Sequence, residues 1–295
     1  MSGALHSRAD VPSSVAGPDE TVHMAYMADM AGLGAGAAPL LALRDTGFQA
    51  DGRTILQTLN LAIPAGRMLG VIGHNGSGKS TLGRILARQL APTSGQLLLR
   101  GAPADRIGAR QFAREVAYLP QHIPAAAGMT VEELVGLGRY PWLGAFRSPT
   151  EADRDQVRHA MAITDVAGLA TRLVDTLSGG ERQRVWLAML VAQQAHILVL
   201  DEPTSALDIR HQVDMLGLLR ELTRTQGVGV VIILHDIYMA GRYCDDIIAL
   251  RQGSIVAAGN REQILTPATL QAIYDVEMDV MVHEASGDRV VCLRH

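Results

Sequence analysis

Lysine is almost absent from this chain of 295 residues: of its 26 basic residues, Lys79 alone is not arginine. Whatever bias favours arginine elsewhere did not act at that position. Cysteine is scarce as well. Cys244 and Cys292 cannot build a disulfide framework, so a reducing compartment is the simpler expectation. No stretch reaches the roughly 18–20 apolar residues needed to span a bilayer. The nearest candidate, Val185 to Leu200, is broken by Gln193, Gln194 and His196. The first 40 residues show no basic start followed by an apolar run, so a signal peptide is not expected. An excess of positive charge is also missing. The formal net charge is −4, which argues against a chain built to grip nucleic-acid phosphates. No internal repeat is visible.

What the chain has is enough apolar material for a core. Apolar residues make up 48% and charged residues 19%, a balance that excludes a disordered chain. Residues 1–38 are rich in Ala, Gly, Ser and Met without a period and read as a disordered tail. The folded domain is expected over 39–280, with 281–295 as a C-terminal extension. Thr54 to Ile63 reads as a strand and Pro64-Ala65-Gly66 as a turn. Met68 to Ile72 is a short apolar run entering a Gly-rich loop, the pattern of a buried parallel strand. Lys79 to Leu90 has helical spacing, with Leu82, Ile85, Leu86 and Leu90 on one face. Gln96–Leu99 and Glu115–Leu119 are further strand candidates. From about 121 to 177 the pattern turns helical, with helices expected at Val131–Leu137 and Thr150–Ile163. Alternation of helix and strand then returns: helix Arg182–Gln193, strand Ile197–Leu200, helix Ile209–Thr223 and strand Val228–Leu234. Strands at Ile247–Leu250 and Ser254–Ala258 and a helix near Pro267–Tyr274 follow. The expectation is an α/β fold with a mostly parallel sheet, helices on both faces and an inserted helical subdomain.

The lone lysine stands in Gly73-His74-Asn75-Gly76-Ser77-Gly78-Lys79-Ser80, followed by Thr81. This fits G-x-x-x-x-G-K-[ST] between an expected strand and an expected helix. The glycines let the backbone curl so that several N–H groups face one anion. The helix start adds its positive dipole end. Lys79 can reach the β- and γ-phosphates of a nucleotide, and the Ser80 hydroxyl can ligate Mg²⁺. A compact ammonium suits such a loop; the planar fork of arginine does not.

Two strand ends add chemistry. Ile197-Leu198-Val199-Leu200 runs into Asp201-Glu202. Successive strand side chains point to opposite sides, so the two carboxylates have different tasks. Asp201 is placed to hold Mg²⁺ or its water, and Glu202 to polarise an attacking water. Val228–Leu234 ends at His235, at the carboxyl end of a parallel strand, where α/β sheets bind ligands.

Leu177-Ser178-Gly179-Gly180-Glu181-Arg182-Gln183 resembles the signature sequence of ATP-binding cassette (ABC) ATPases. It places Ser178, Gly179 and Gly180 at a helix start, a second anion-binding device. The remaining family pattern is present in order. Gln121 is similar to the Q-loop glutamine, which touches Mg²⁺ and the attacking water. Ser205-Ala206-Leu207-Asp208 resembles the D-loop, and His235 matches the switch histidine. The resemblance covers about Leu41 to Tyr274. It implies a P-loop NTPase core with an inserted helical subdomain and an antiparallel β portion. It also implies two copies packed head to tail, with ATP between one copy's phosphate loop and the other's signature segment. Gln183 and Asp208 then join the nucleotide-binding set. The family stacks adenine on an aromatic residue that aligns here with Ala50; Phe48, two residues earlier, either substitutes or belongs to the core.

Within the family, Gly138-Arg139-Tyr140-Pro141-Trp142 resembles the ATPases of importers for iron–siderophore complexes, haem and vitamin B12. Ala117–Gln121, Leu187–Gln193, His211–Asp214 and Arg242–Asp245 are similar to the ferric hydroxamate (ferrichrome-type) subgroup. The resemblance implies an integral-membrane permease docked near Gln121–Trp142 and, indirectly, a periplasmic or surface substrate-binding protein. It implies a peripheral place on the cytoplasmic face of the inner membrane. Two other classes are weighed: a soluble ABC ATPase acting for example in cluster assembly, and an exporter subunit. For the residues from Asp275 onward two readings stand, an extra strand pair or a segment packing at the dimer base.

Overall fold

The structure, a computed structural model, describes residues 39–144, 147–205, 207–284 and 287–294. The expected tail over 1–38 lies outside the described residues, as does Ala206.

An antiparallel sheet holds β1 (Leu41–Ala50), β2 (Arg53–Ile63), β4 (Ser94–Leu99) and β5 (Ala102–Pro103), in the order β2-β1-β4-β5. The second sheet holds β3 (Met68–Gly73), β6 (Val116–Leu119), β7 (Ile197–Asp201), β8 (Gly229–Ile233), β9 (Asp246–Arg251) and β10 (Ser254–Gly259). Its order is β10-β9-β3-β8-β7-β6, parallel except for β10. The longer helices are α1 (Lys79–Leu86), α2 (Ala109–Glu115), α3 (Val131–Gly136), α4 (Glu151–Ile163), α5 (Gly179–Gln193), α6 (Ile209–Gln226), α7 (Ile237–Tyr243) and α8 (Pro267–Tyr274).

Strand alternation divides the interior into two cores. Met68, Ile72, Leu198, Leu200, Val230 and Ile232 join residues of α6, α7 and α8. Leu69, Val71, Ile197, Val199, Val231 and Ile233 join α1 and the antiparallel sheet. Both faces are covered, which is why these strands read as unbroken apolar runs. A third core unites Val131 and Leu134 of α3, Val157 and Met161 of α4, and Val185, Ala188 and Ala192 of α5. This is the helical subdomain. Helix α5 also sends Leu187 and Leu190 into the first core, so one helix serves both bodies.

The structure corrects some boundaries. The helix expected to reach Leu90 ends at Leu86. Arg88 turns the chain with φ of 54°, and its guanidinium bonds the carbonyls of Ala104 and Ile107 at 2.7 and 2.6 Å. Glu115 closes α2 and does not open β6. Beyond Asp275 the chain forms an antiparallel hairpin of β11 (Met278–Val282) and β12 (Arg289–Leu293). Met278, Val280 and Val291 rest on the first core. No helix among the described residues is long and apolar enough to cross a membrane.

Candidate functional site

The carboxyl ends of β3, β8, β7 and β6 lie side by side. They carry Gly73, His235, Asp201-Glu202 and Gln121 to one edge of the sheet, the usual ligand edge of a parallel sheet.

Glycine is required in the phosphate loop on two counts. Gly73 has φ of 140° and Gly78 φ of 103°, values that L side chains rarely adopt. A Cβ at Gly73 would come within 2.1 Å of the Leu250 carbonyl oxygen, and one at Gly78 within 2.6 Å of Leu56 Cδ2. Helix α1 starts with no side-chain cap, which leaves its first-turn amides without partners inside the helix. Lys79 is 4% exposed. Its Nζ donates to the carbonyls of Gly73 and His74, both at 2.8 Å. Burial lowers the pKa of this ammonium, while Glu202 and Asp201 oppose the shift. The buried Ser77 hydroxyl has no hydrogen-bond partner among the described residues. A loop that gathers unpaired donors and one ammonium around a curled backbone is built to receive an anion.

Ser80 Oγ donates to Asp201 Oδ1 at 3.1 Å. Burial pushes the Asp201 carboxyl above its ordinary value, with the Ser80 hydrogen bond opposing. A hydroxyl and a carboxylate side by side are hard oxygen donors that fit Mg²⁺, which takes few protein ligands beside substrate phosphates. Glu202, directly after β7, has φ of 51°. A left-handed backbone at a non-glycine residue costs energy and collects at functional sites. Gln121 Nε2 donates to Glu202 Oε2 at 2.5 Å, and His235 Nε2 lies 2.5 Å from Glu202 Oε1. Three residues singled out from separate strands thus meet on one carboxylate.

The other sequence candidates are distributed as follows. Asn75 and Gly76 are exposed at the loop tip, and Thr81 is half-buried on α1. Ser178 caps α5 in a reciprocal box with Glu181. The side-chain hydrogen bonds of Ser178 stay within that helix start. Gln183 is buried one turn later and donates to the Pro203 carbonyl. Asp208 caps α6, accepting from the His211 amide at 2.9 Å and facing His211 Nδ1 at 2.8 Å. Phe48 is half-buried against the core of the antiparallel sheet and pairs across the strands with Leu56.

In the segment after Gln121, the marked residues Gly138, Arg139 and Pro141 are buried and Trp142 is half-buried. Arg139 is buried and bonds Asp153 Oδ1 at 3.0 Å, the Ala192 carbonyl at 2.8 Å and Gln194 Oε1 at 2.8 Å. The guanidinium groups of Arg114 and Arg139 lie 4.9 and 5.4 Å from the Trp142 ring centroid. Tyr140 and Leu137 face outward, at 56% and 48% exposure. A groove of about 770 Å³ runs from Ser80 and Asp201 past Tyr118 and Gln121 to Trp186. One neighbour of the phosphate loop has no sequence signal at all. Tyr274 meets the His74 ring edge-on, with centroids 5.4 Å apart.

Comparison with known proteins identifies the family. The family model of ABC transporters matches residues 56–205. The ferric enterobactin transport ATP-binding protein FepC of Escherichia coli (strain K12) is 41% identical over 238 residues, 81% of this chain and 88% of the relative. The iron(3+)-hydroxamate import ATP-binding protein FhuC of Bacillus subtilis (strain 168) is 35% identical over 255 residues, 86% and 94% of the two. A solved chain from an ABC transporter described as of the metal-chelate type, in an inward-facing conformation, matches with a TM-score of 0.75 at 26% identity. That match covers 87% of this chain and 98% of the other. The chain therefore belongs to the ABC transporter family, as an ATP-binding subunit closely related to siderophore and metal-chelate import ATPases.

Proposed function

We propose that this chain hydrolyses ATP to energise the import of a ferric siderophore through a separate membrane permease. The observation that carries the hydrolytic part is the meeting of Gln121, Glu202 and His235 beside the Lys79 loop. Nucleotide phosphates enter against the open amides of α1. Lys79 exchanges the carbonyls of Gly73 and His74 for phosphate oxygens. Ser80 and Asp201 hold Mg²⁺, with the Gln121 amide beside them. The ion, when bound, neutralises charge on the phosphoryl oxygens. Glu202 accepts the proton of the attacking water, held in place by Gln121 and His235. Such chemistry is positioning and electrostatics, as phosphoryl transfer requires.

Ser178, Gly179 and Gly180 complete the site of a second copy, so the working form is a head-to-tail homodimer. Subunits of this family typically dimerise and pair with a permease and a substrate-binding protein. The permease docks over Gln121–Trp142, which keeps this subunit on the cytoplasmic face of the membrane. The relatives support a siderophore cargo. The hydroxamate class is the narrower reading, resting on the stretches around Ala117–Gln121 and His211–Asp214, although overall identity is higher to the enterobactin relative than to the hydroxamate one.

Uptake of radiolabelled iron tests this reading in cells lacking the gene, complemented with the natural chain or with Lys79→Ala. Rescue of ferrichrome uptake by the natural chain alone is the expected result. Rescue with another siderophore, haem or vitamin B12 would move the cargo and keep the mechanism. No dependence for any of them would overturn import and favour a soluble ATPase.

A further inference from the structure

His74, the first residue after β3, is a sensitive place for an outside contact. Its carbonyl accepts from Lys79 Nζ at 2.8 Å and from the Ser77 amide at 3.2 Å. Moving His74 therefore moves an acceptor of the only lysine and the turn that carries the inward-facing amides. The outside contact is Tyr274, the last residue of α8. The two rings meet at 5.4 Å with an interplanar angle of 70°, a favourable edge-to-face arrangement.

Tyr274 is itself firmly placed. Burial pushes its phenol up to about 12, with the nearby Asp236 carboxylate acting in the same direction. Asp236 directly follows His235 and caps α7, accepting from the amides of Tyr238 and Met239 at 2.8 and 3.1 Å. On the other side, Gly73 pairs with Leu250 across β3 and β9. The next residue, Arg251, donates to the Ala272 carbonyl at 2.7 Å and faces Asp275 at 3.8 Å. That cation sits at the negative end of α8 and fixes it. Tyr274 thus stands against the phosphate loop, at the end of a helix anchored to the strand beside β3. The hairpin β11–β12 continues from it and is tied to α7 by Arg242 on Asp288 at 2.9 Å.

We propose that Tyr274 is a positioning residue of the nucleotide site: through its ring on His74, the C-terminal unit of α8 and the hairpin braces the phosphate loop. Tyr274 touches none of the reacting groups. It acts on how well the loop is formed before nucleotide arrives, and so on nucleotide affinity more than on turnover. This inference rests on reading the Lys79 loop as the nucleotide site.

The test is steady-state ATPase kinetics and calorimetric ATP binding on the purified full chain. Tyr274→Ala is expected to raise KM and Kd for ATP by about three- to tenfold, the range of an aromatic pair, with kcat nearly unchanged. Tyr274→Phe keeps the ring and is expected to restore both constants. His74→Ala should show the same rise, and the double variant no more than either alone. If Tyr274→Ala fails to fold, Tyr274→Leu gives the same readout. An unchanged KM, an equal defect in Tyr274→Phe, or additive effects in the double variant would each overturn the brace. Lys79→Ala separates the two levels. ATP binding unaffected by that change would sink the nucleotide-site reading itself, whereas loss in Lys79→Ala beside a normal Tyr274→Ala overturns the brace alone.

Discussion

Helices α1 and α5 both open on glycine, serine and a nearby charge, yet their first turns are in opposite states. The start of α1 has no side-chain cap. The start of α5 is closed by its own chain. Ser178 Oγ accepts from the Glu181 amide at 3.3 Å and donates to Glu181 Oε2 at 2.8 Å, and the Ser178 amide donates to the same carboxylate oxygen at 2.8 Å. Arg172 adds an ion pair to Glu181 at 3.5 Å. The first helix leaves donors open and places a lysine among them, so it suits a free anion. The second holds the Glu181 carboxylate in its capping box, so it is the poorer host for a free anion. The contrast supports the division of labour in the proposed dimer: one end binds, the other completes.

The comparison can be broken at several points. The largest effect is expected from Glu202→Gln. Loss of the base should lower kcat by about 10²- to 10⁴-fold while calorimetry still shows ATP binding at the α1 loop. Normal turnover would remove Glu202 from its role. A smaller but more diagnostic change is Gly179→Asp. A Cβ there meets nothing within 4 Å, so the fold is kept while a second carboxylate is set on the α5 start. Hydrolysis should fall by about tenfold or more through like-charge repulsion, with ATP affinity of the monomer unchanged. Equal loss of affinity would mean that α5 serves its own chain's nucleotide. The smallest effect belongs to Glu181→Ala, which opens the capping box. The expected loss is a few degrees in Tm, read by calorimetry. Hydrogen bonds from Ser178 hold the Glu181 carboxyl below its ordinary value. A lowered native pKa stabilises above the unfolded value and is lost as pH falls through the native one. The difference in Tm between natural chain and variant should therefore shrink on acidification below the ordinary carboxylate range.

The parts of the site that sequence revealed are the local ones. β3, the loop and α1 are contiguous, and Asp201-Glu202 closes an apolar run, so a short window holds each whole signal. What sequence hid depends on distant packing or on broken periods. β1 was not legible because its register slips between Leu43 and Thr46 and again around Phe48, which destroys the alternation that marks a strand. The double role of α5, apolar on two sides, blurs its helical stripe. Arg139 lies in the segment expected to meet a permease, yet it is buried on Asp153 and the end of α5, which no local pattern shows. The convergence of Gln121 and His235 on Glu202 follows from strand order. The contact of Tyr274 with His74 follows from the fold of the C-terminal unit. Neither has a spacing to read.

The rarity of lysine has a practical consequence. Acylating and reductively methylating reagents attack neutral amines, and this chain carries a single side-chain amine. That amine is buried against the carbonyls of Gly73 and His74, with its proton loosened by burial. Surface labelling through lysine has no other side chain to find. Side-chain modification by such reagents, read apart from that of the terminal α-amine, is therefore a report on the openness of one loop, and a bound nucleotide would register as protection of Lys79 Nζ.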